Sequence, residues 1–302
     1  MLYALAIFLL WTAVAWSAEP LYIVTTSTDL KSLVEAVGGE RVRAESLAPP
    51  LQDPHSVELK PGQLAKVKAA SLLVRIGLDH EPWLGRALGT LGDSRFARES
   101  PHYLDTSRDI HLLQAETPRL RADKGAHLHG FGNPHYWLDP ENGRPMTGAI
   151  LAALLRLAPA ERSYFEANRK RFLDRLDRSL KSWLQTMAPH SGKRVVAVHE
   201  TWPYFAQRFG LTIVAVVEPT PGVPPTPSYL VGLVKKMRDS GIKLLIADPY
   251  SNASTVRQVA TQSGATTVTL IPSVGGDPGA TDYFSLFDVN IKRLSQSAVT
   301  AQ

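Results

Sequence analysis

The stretch Gly132–Pro140 contains a histidine, His135, in a setting that suits metal binding. Pro134 fixes its own φ and biases Asn133 toward an extended backbone, so the chain beside His135 is held in place. Imidazole is the commonest side-chain ligand for metals in proteins. A single loop histidine is more often an ordinary surface residue, so a metal site here requires partners elsewhere in the chain.

Two further histidines lie where predicted strands end. His55 comes after the predicted strand Val42–Leu47, and His199 directly follows the predicted strand Arg194–Val198. Parallel α/β sheets bind ligands outside the carboxyl ends of their strands. Each histidine alone could equally be a turn or helix-terminal residue. Their joint occurrence predicts that His55, His135 and His199 face one cleft and bind one divalent ion.

The elements that must position these histidines alternate between strand and helix, which indicates parallel sheets covered on both faces. In the first half the predicted strands are Leu21–Thr26, Val42–Leu47, Ser71–Ile76 and Tyr103–Leu104. In the second half they are Arg194–Val198, Leu211–Val217, Ile242–Ala247 and Thr266–Ile271. Between the halves, a helical pattern from Pro159 to about Ala188, free of Gly and of any Pro beyond its first turn, predicts one helix of roughly 40 Å.

The predicted organisation is therefore α/β, with two lobes flanking one long helix. We expect a signal peptide at residues 1–18, a first metal-binding lobe at 19–157, a linking helix at 158–189 and a second metal-binding lobe at 190–302. Residues 1–18 are apolar and uncharged, with small residues near their end where signal peptidase cleaves. An uncleaved anchor is the alternative, because the length approaches that of a spanning helix. Either outcome exports the body of the protein.

Composition limits the possible partners. With 302 residues, 44% of them hydrophobic and 20% charged, the chain is expected to be soluble and globular, with one large or two ordinary domains. The net charge is +5, yet the densest basic run, residues 169–178, alternates with acidic residues as a solvated helix face does. We therefore expect no nucleic-acid partner. The chain has no cysteine, so any metal must use nitrogen and oxygen ligands, and no cysteine can carry a lipid.

Three motifs resemble the zinc/manganese solute-binding proteins of bacterial ABC importers: Asp53–His55, Asn133–Pro140 and Val198–Leu211. The resemblance extends over nearly the whole mature chain. It implies two (β/α)₄ lobes with parallel sheets, joined by one long backbone helix, with the metal in the interlobe cleft. It also implies that His55 and His135 are two of the metal ligands.

The same resemblance implies that His199 is the third imidazole ligand. Manganese-type members commonly have a carboxylate at this position, so the chain resembles the zinc branch. The chemistry favours the same choice, because three neutral imidazoles suit Zn²⁺ while Mn²⁺ prefers oxygen ligands. Affinity order alone would favour Cu²⁺, which the sequence does not exclude.

The fourth ligand departs from the family pattern. The family usually supplies a carboxylate after the last strand of the second lobe, where this chain has Ile271-Pro272-Ser273. Asp248 is the preferred candidate, because it ends a strand that should lie beside the strand before His199. Asp277 or a water molecule is the alternative. Asp248 could also be an ordinary turn residue.

The remaining acidic and histidine residues carry weaker expectations. Glu200 and Asp139 are candidates for orienting the imidazoles. His127 and His129 lie in a polar loop that corresponds to the family's histidine-rich insertion, either as auxiliary zinc ligands or as solvated residues. Four other histidines are expected on the surface: His80, His102, His111 and His190.

The predicted function is that of a periplasmic zinc-binding protein, a monomer that delivers Zn²⁺ to the permease of an ABC transporter. Zn²⁺ is then a transported ligand, and the protein is not an enzyme. A manganese importer component is the first alternative. A zinc hydrolase would need Glu200 or Glu218 as its general base, and no HExxH motif is present. A surface adhesin or metal-storage protein is the third possibility.

Overall fold

The computed structural model of the chain describes residues 19–115, 132–220 and 223–300. The predicted signal peptide, residues 1–18, and the loop histidines His127 and His129 lie outside the described residues. Within the described ranges, helices that are both long enough and apolar enough to cross a bilayer are absent.

The first lobe is built on a four-stranded parallel sheet with the strand order β2-β1-β3-β4. Its strands are β1 (Leu21–Thr25), β2 (Val42–Ser46), β3 (Leu72–Arg75) and β4 (Tyr103–Asp105). Its helices are α1 (Thr28–Gly38), α2 (Pro61–Ala69), α3 (Pro82–Leu91) and α4 (Gly143–Leu157). Ser27 caps α1 by accepting a hydrogen bond from Leu30 N, as its position before an apolar periodic run predicts.

The second lobe repeats this topology with the strand order β6-β5-β7-β8, again parallel. Its strands are β5 (Arg194–Ala197), β6 (Thr212–Val216), β7 (Leu244–Ala247) and β8 (Thr266–Thr269). Its helices are α6 (Pro203–Arg208), α7 (Pro227–Asp239), α8 (Ala253–Ser263) and α9 (Tyr283–Thr300). The predicted pair of α/β lobes with parallel sheets is confirmed.

One long helix, α5 (Arg162–Met187), connects the lobes. Its 26 residues span about 39 Å at 1.5 Å per residue. Short 3₁₀ turns, Pro159–Glu161 and Ala188–His190, extend it at both ends. The face of α5 that points inward buries Phe165, Phe172, Leu176 and Trp183.

A single hydrophobic cluster runs through both lobes and α5. It includes Ile23 and Val74 of the first sheet, Trp183 of α5, and Ala197 and Phe287 of the second lobe. Because the side chains of the two lobes share this cluster, the lobes are packed against each other as well as tethered. The core therefore already constrains the relative position of the two lobes.

The last strand is shorter than its sequence predicts. The apolar run predicts a strand to Ile271, but β8 ends at Thr269. Asn290 replaces the strand partner, because its Oδ1 accepts from Ile271 N at 2.7 Å and its Nδ2 donates to Ile271 O at 2.7 Å. A side chain on a distant helix thus satisfies backbone groups that a local pattern assigns to a strand.

Candidate metal site

The carboxyl ends of the central strands place the candidate residues. In each sheet the chain order reverses between the first and third strands, and such reversal points open a crevice at the strand ends. His80 follows β3 in the first sheet. His199 follows β5 and Asp248 follows β7 in the second, where Val198 N donates to Ile246 O at 2.8 Å.

Three histidines of the first lobe form a group whose geometry could hold a metal ion. One ring nitrogen from each of His55, His80 and His135 lies within 4.8 Å of the other two. Their ring centroids are 4.6 to 5.4 Å apart. His80 and His135 are buried and also contact Trp137, while His55 is half-buried. The structure thus brings His55 and His135 together and adds His80.

Local hydrogen bonds fix the orientation of His55. It lies in a 3₁₀ turn, Pro54–Ser56, whose start is capped by Asp53 accepting from His55 N at 3.0 Å. The indole of Trp83 donates to Pro54 O at 2.8 Å and so stabilises the turn. The His55 Nδ1 donates to the backbone oxygen of His80 at 2.9 Å. In a neutral imidazole, a proton on Nδ1 leaves the lone pair on Nε2, which is the atom that could then coordinate a metal.

His135 is oriented by a residue within its own turn. Asn133 Oδ1 accepts from His135 N at 2.9 Å and from His135 Nδ1 at 3.0 Å. The Asn133 Nδ2 donates to Glu200 O at 2.8 Å, next to His199 in the second lobe. The Asn-Pro turn therefore holds the His135 backbone, fixes its tautomer and ties its position to the opposite lobe.

Two ring nitrogens of the group lie at the separation expected of two zinc ligands. The Nε2 atoms of His55 and His135 are 3.4 Å apart. Two ligands at ~2.05 Å from a tetrahedral Zn²⁺ are separated by ~3.4 Å. Since the Nδ1 atoms of both rings are engaged by oxygen acceptors, the two Nε2 atoms are the ring atoms that would coordinate a cation placed between them.

His199 and Asp248 contact each other rather than the group of three. The His199 Nδ1 donates to Asp248 Oδ2 at 2.6 Å, and its Nε2 donates to Glu218 Oε2 at 2.9 Å. The other oxygen of Asp248 accepts from the Trp202 indole at 2.9 Å. Burial alone lowers the pKa of His199, but the hydrogen bonds and charges of Asp248 and Glu218 outweigh it and raise the pKa to about 9. His199 is thus an imidazolium at neutral pH in this state.

Two expectations about the other histidines are wrong. His80 and His190, predicted on the surface, are 1% and 6% exposed. The Asp139 carboxylate forms a two-pronged ion pair with Arg208 at 2.7 and 2.8 Å, and its role in orienting an imidazole stays a prediction. In the group of three, Asn133 bonds the Nδ1 atom of His135 and the backbone oxygen of His80 bonds that of His55.

Asp277, the alternative fourth ligand, is engaged away from the group. Its carboxylate forms an ion pair with Arg293 at 2.5 Å and accepts from Gly279 N at 2.7 Å. Among the described residues, the group of three includes neither Asp277 nor Asp248. Which residue supplies the fourth ligand stays a prediction.

Two α/β lobes with parallel sheets, joined by one long helix and carrying histidines near the ends of their strands, are the features of a two-lobed metal-binding protein. Comparison with known proteins supports this class. Residues 23–297 match the family model described as zinc-uptake complex component A, periplasmic. This match covers well over half of the chain, so the protein belongs to that family.

Individual relatives are similar at low identity. The chain is 23% identical over 291 residues to a manganese ABC transporter substrate-binding lipoprotein, PsaA, of Streptococcus anginosus, covering 93% of this chain and 90% of the relative. It is 23% identical over 269 residues to the high-affinity zinc uptake system protein ZnuA of Yersinia pestis, covering 84% and 83%. A crystal structure of ZnuA has the same fold, with a TM-score of 0.77 at 24% identity, covering 93% of this chain and all of that one.

Proposed function

We propose that this protein captures Zn²⁺ in the periplasm and delivers it to the membrane permease of an ABC importer. The observation that carries the proposal is the group of three histidines, with two Nε2 atoms 3.4 Å apart at the facing edge of the first sheet. Membership of a periplasmic zinc-uptake family supports both the compartment and the transport role. Zn²⁺ is the cargo in this proposal, so its release matters as much as its binding.

The choice of Zn²⁺ over Mn²⁺ depends on ligand chemistry. The two relatives named above, one described for manganese and one for zinc, are equally identical to this chain, so identity does not discriminate. Imidazole nitrogens suit Zn²⁺, whereas Mn²⁺ prefers carboxylate, carbonyl and water oxygens. Three imidazoles in one group therefore favour zinc, and a manganese importer component is the alternative.

The ligand set proposed from the sequence is His55, His135, His199 and Asp248. For His199 to coordinate through Nε2, the metal must replace Glu218 at that nitrogen. Both oxygens of Asp248 already accept hydrogen bonds, and one of them comes from His199 Nδ1. That arrangement favours Asp248 as the carboxylate that orients a ligating imidazole, rather than as a ligand itself.

The proposal also includes the processing and organisation of the chain. Residues 1–18 serve as the export signal, and the mature protein acts as a monomer. The lobes comprise residues 19–157 and 190–302, with residues 158–189 as the link. A continuous helix together with a shared core favours small lobe movements on binding.

Competition titration against a chromophoric chelator tests the proposal. We expect one tight Zn²⁺ site and much weaker Mn²⁺ binding. His135→Gln should weaken Zn²⁺ binding by more than about 100-fold, because even loss of a residue that only orients a ligand costs 10–100-fold. His111→Gln is the matched control, since His111 is an exposed histidine of the same lobe.

Two results would contradict the proposal. One is tighter binding of Mn²⁺ than of Zn²⁺ by the wild-type chain, which would favour the manganese alternative. The other is a tight Zn²⁺ site that His135→Gln leaves intact, with thermal unfolding showing that the variant is folded. Zinc-limited growth of a deletion strain then separates import from storage or adhesion.

A further inference from the structure

The turn that carries His80 has an unusual backbone. Gly77, Leu78 and Asp79 are consecutive residues with positive φ, at 85°, 54° and 56°. Such values suit glycine, but they cost side-chain-bearing residues of order 1–3 kcal/mol each. Non-glycine residues remain in this region only where the surroundings determine the backbone, and such strain clusters at functional sites.

A buried carboxylate holds this turn. Glu81 is 2% exposed, and its Oε1 accepts from Ile76 N at 2.7 Å and from Thr26 Oγ1 at 2.6 Å. Its Oε2 accepts from Gly77 N at 3.2 Å and from Arg75 Nη2 at 2.9 Å. The backbone on the N-terminal side of His80 is thus hydrogen-bonded to the carboxylate of Glu81, the residue that follows His80.

The result of this arrangement is the position of His80. Its ring is buried against Trp137, with ring centroids 4.9 Å apart, and lies within ligand distance of His55 and His135. Its backbone oxygen also accepts the hydrogen bond that fixes the tautomer of His55. A strained turn thus places one imidazole and orients another.

We propose that His80 is a direct metal ligand, so that the first lobe alone supplies three imidazoles. This inference rests on the proposed function and specifies the ligands of the same site. Three nitrogens from one lobe leave one coordination position of a tetrahedral ion open toward the second lobe, where His199 can complete it. The all-nitrogen set disfavours Mn²⁺ at the first contact between ion and protein.

Counting imidazoles in the zinc-loaded chain tests this directly. X-ray absorption at the zinc edge is measured on full-length chains in which His127 and His129 are replaced by Gln, so that these residues contribute nothing. Adding His199→Gln removes the imidazole of the second lobe while His80 stays native. We expect three imidazoles per zinc in that chain, and two would overturn the inference.

A substitution series provides the second measurement. His80→Gln should weaken Zn²⁺ binding at least tenfold and remove one imidazole from the count. His102→Gln is the matched control, because His102 is a half-buried histidine of the same lobe that bonds Ser71 O. His80→Asp, which offers an oxygen ligand instead, should lower the preference for Zn²⁺ over Mn²⁺. An unchanged affinity, metal preference and count in these variants would overturn the inference.

The results separate this inference from the proposed function. If His135→Gln abolishes the site while both His80 variants bind normally, the transport proposal stands and His80 is a packing residue. If the wild-type chain has no tight Zn²⁺ site, the proposed function itself fails. If His80→Gln does not fold, the count in the His199→Gln chain decides, because that chain retains His80.

Discussion

Both ring nitrogens of His199 contact carboxylates. Asp248 holds Nδ1 and Glu218 holds Nε2, so the ring is positively charged at neutral pH, with a pKa of about 9. A charged imidazole has no lone pair for a metal. Coordination by His199 therefore requires loss of a proton as well as separation from Glu218.

Proton release on zinc binding follows from that charge. Between about pH 7 and pH 9 we expect affinity to rise roughly tenfold per pH unit, because His199 must lose its proton before it can bind the metal. Calorimetry at pH 7.5 in two buffers of different ionisation enthalpy should show about one proton released per zinc. In His199→Gln that proton should disappear.

Glu218→Gln provides the matched variant for this experiment. Removing the carboxylate lowers the pKa of His199, since its hydrogen bond and charge are among the causes that raise it. Fewer protons should then leave on binding at pH 7.5, and the affinity should increase. Equal proton release from the wild type, His199→Gln and Glu218→Gln would rule out His199 as a ligand.

At this scale the sequence predicts some of the candidate site and misses one member of the histidine group. His55 and His135 stand out because an Asp-Pro or Asn-Pro pair precedes each one. His80 also follows a predicted strand, and this position could have identified it as a candidate metal ligand. Its burial depends on positive φ at Leu78 and Asp79. Aspartate adopts this conformation more often than most residues, but leucine rarely does, so the local sequence does not predict the turn.

The turn Gly77–Glu81 is the element on which the histidine group depends. Glu81→Gln keeps the size of the side chain but removes the charge that pairs with Arg75 and replaces one acceptor by a donor. Breaking a buried ion pair in this way costs about 3–5 kcal/mol. We expect urea unfolding to show a loss of that order, together with weaker zinc binding because His80 is displaced.

Glu99→Gln is the control for this prediction. Glu99 is a largely exposed glutamate of the same lobe, and its ion pair with Arg108 has a long separation of 3.6 Å. Surface pairs of this kind contribute little to stability, so the free energy of unfolding should change by less than about 0.5 kcal/mol. Equal stability of the Glu81 and Glu99 variants would show that the turn is held by other contacts.

Regular elements are the part of the fold that local patterns predict well. The absence of helix-breaking residues between Glu161 and Ala188 predicts α5 almost to its ends. The early end of β8 could not be predicted, because it depends on Asn290 in α9 reaching Ile271 across the lobe. Local periodicity reports which face is apolar, whereas such long-range polar contacts depend on the assembled fold.

Across the whole molecule, several contacts bind the lobes together beside the site. The Trp137 indole donates to Pro272 O at 2.9 Å, and the Tyr283 hydroxyl donates to Trp137 O at 2.8 Å. The Asp29 carboxylate in α1 accepts from Val274 N at 2.9 Å. These hydrogen bonds and the shared hydrophobic cluster form the contact between the lobes, which we call the seam. A large opening of the lobes would expose the hydrogen-bonding groups and the cluster to solvent.

Asp29 makes this seam sensitive to pH. Burial raises its pKa to about 7, and hydrogen bonds from Val274 and its other neighbours only partly oppose that rise. The folded state therefore holds the proton more tightly than the unfolded state. The stability from this group is fully present below pH ~4, declines as pH rises toward 7, and is absent above it.

Asp29→Asn should remove this dependence, because an amide oxygen can still accept from Val274 N without carrying charge. Relative to wild type, the variant should gain stability as pH rises from 4 to 7, by up to ~4 kcal/mol at pH 8. Urea unfolding at pH 4.5 and pH 8 measures the difference. The exposed substitution Asp109→Asn is the control, and a gain that does not vary with pH would contradict the assignment.

His55, His80 and His135 all belong to the first lobe. In the proposed delivery of Zn²⁺ to the permease, the ion would therefore leave from that lobe. A docking partner that drew the second lobe back would take away one ligand at most and leave the cargo seated on the first. The ion would then present an open coordination position to the outside, ready for an incoming donor from the transporter. Unloading would proceed by stepwise ligand exchange at one face of the molecule, and a free ion would never need to escape into solvent.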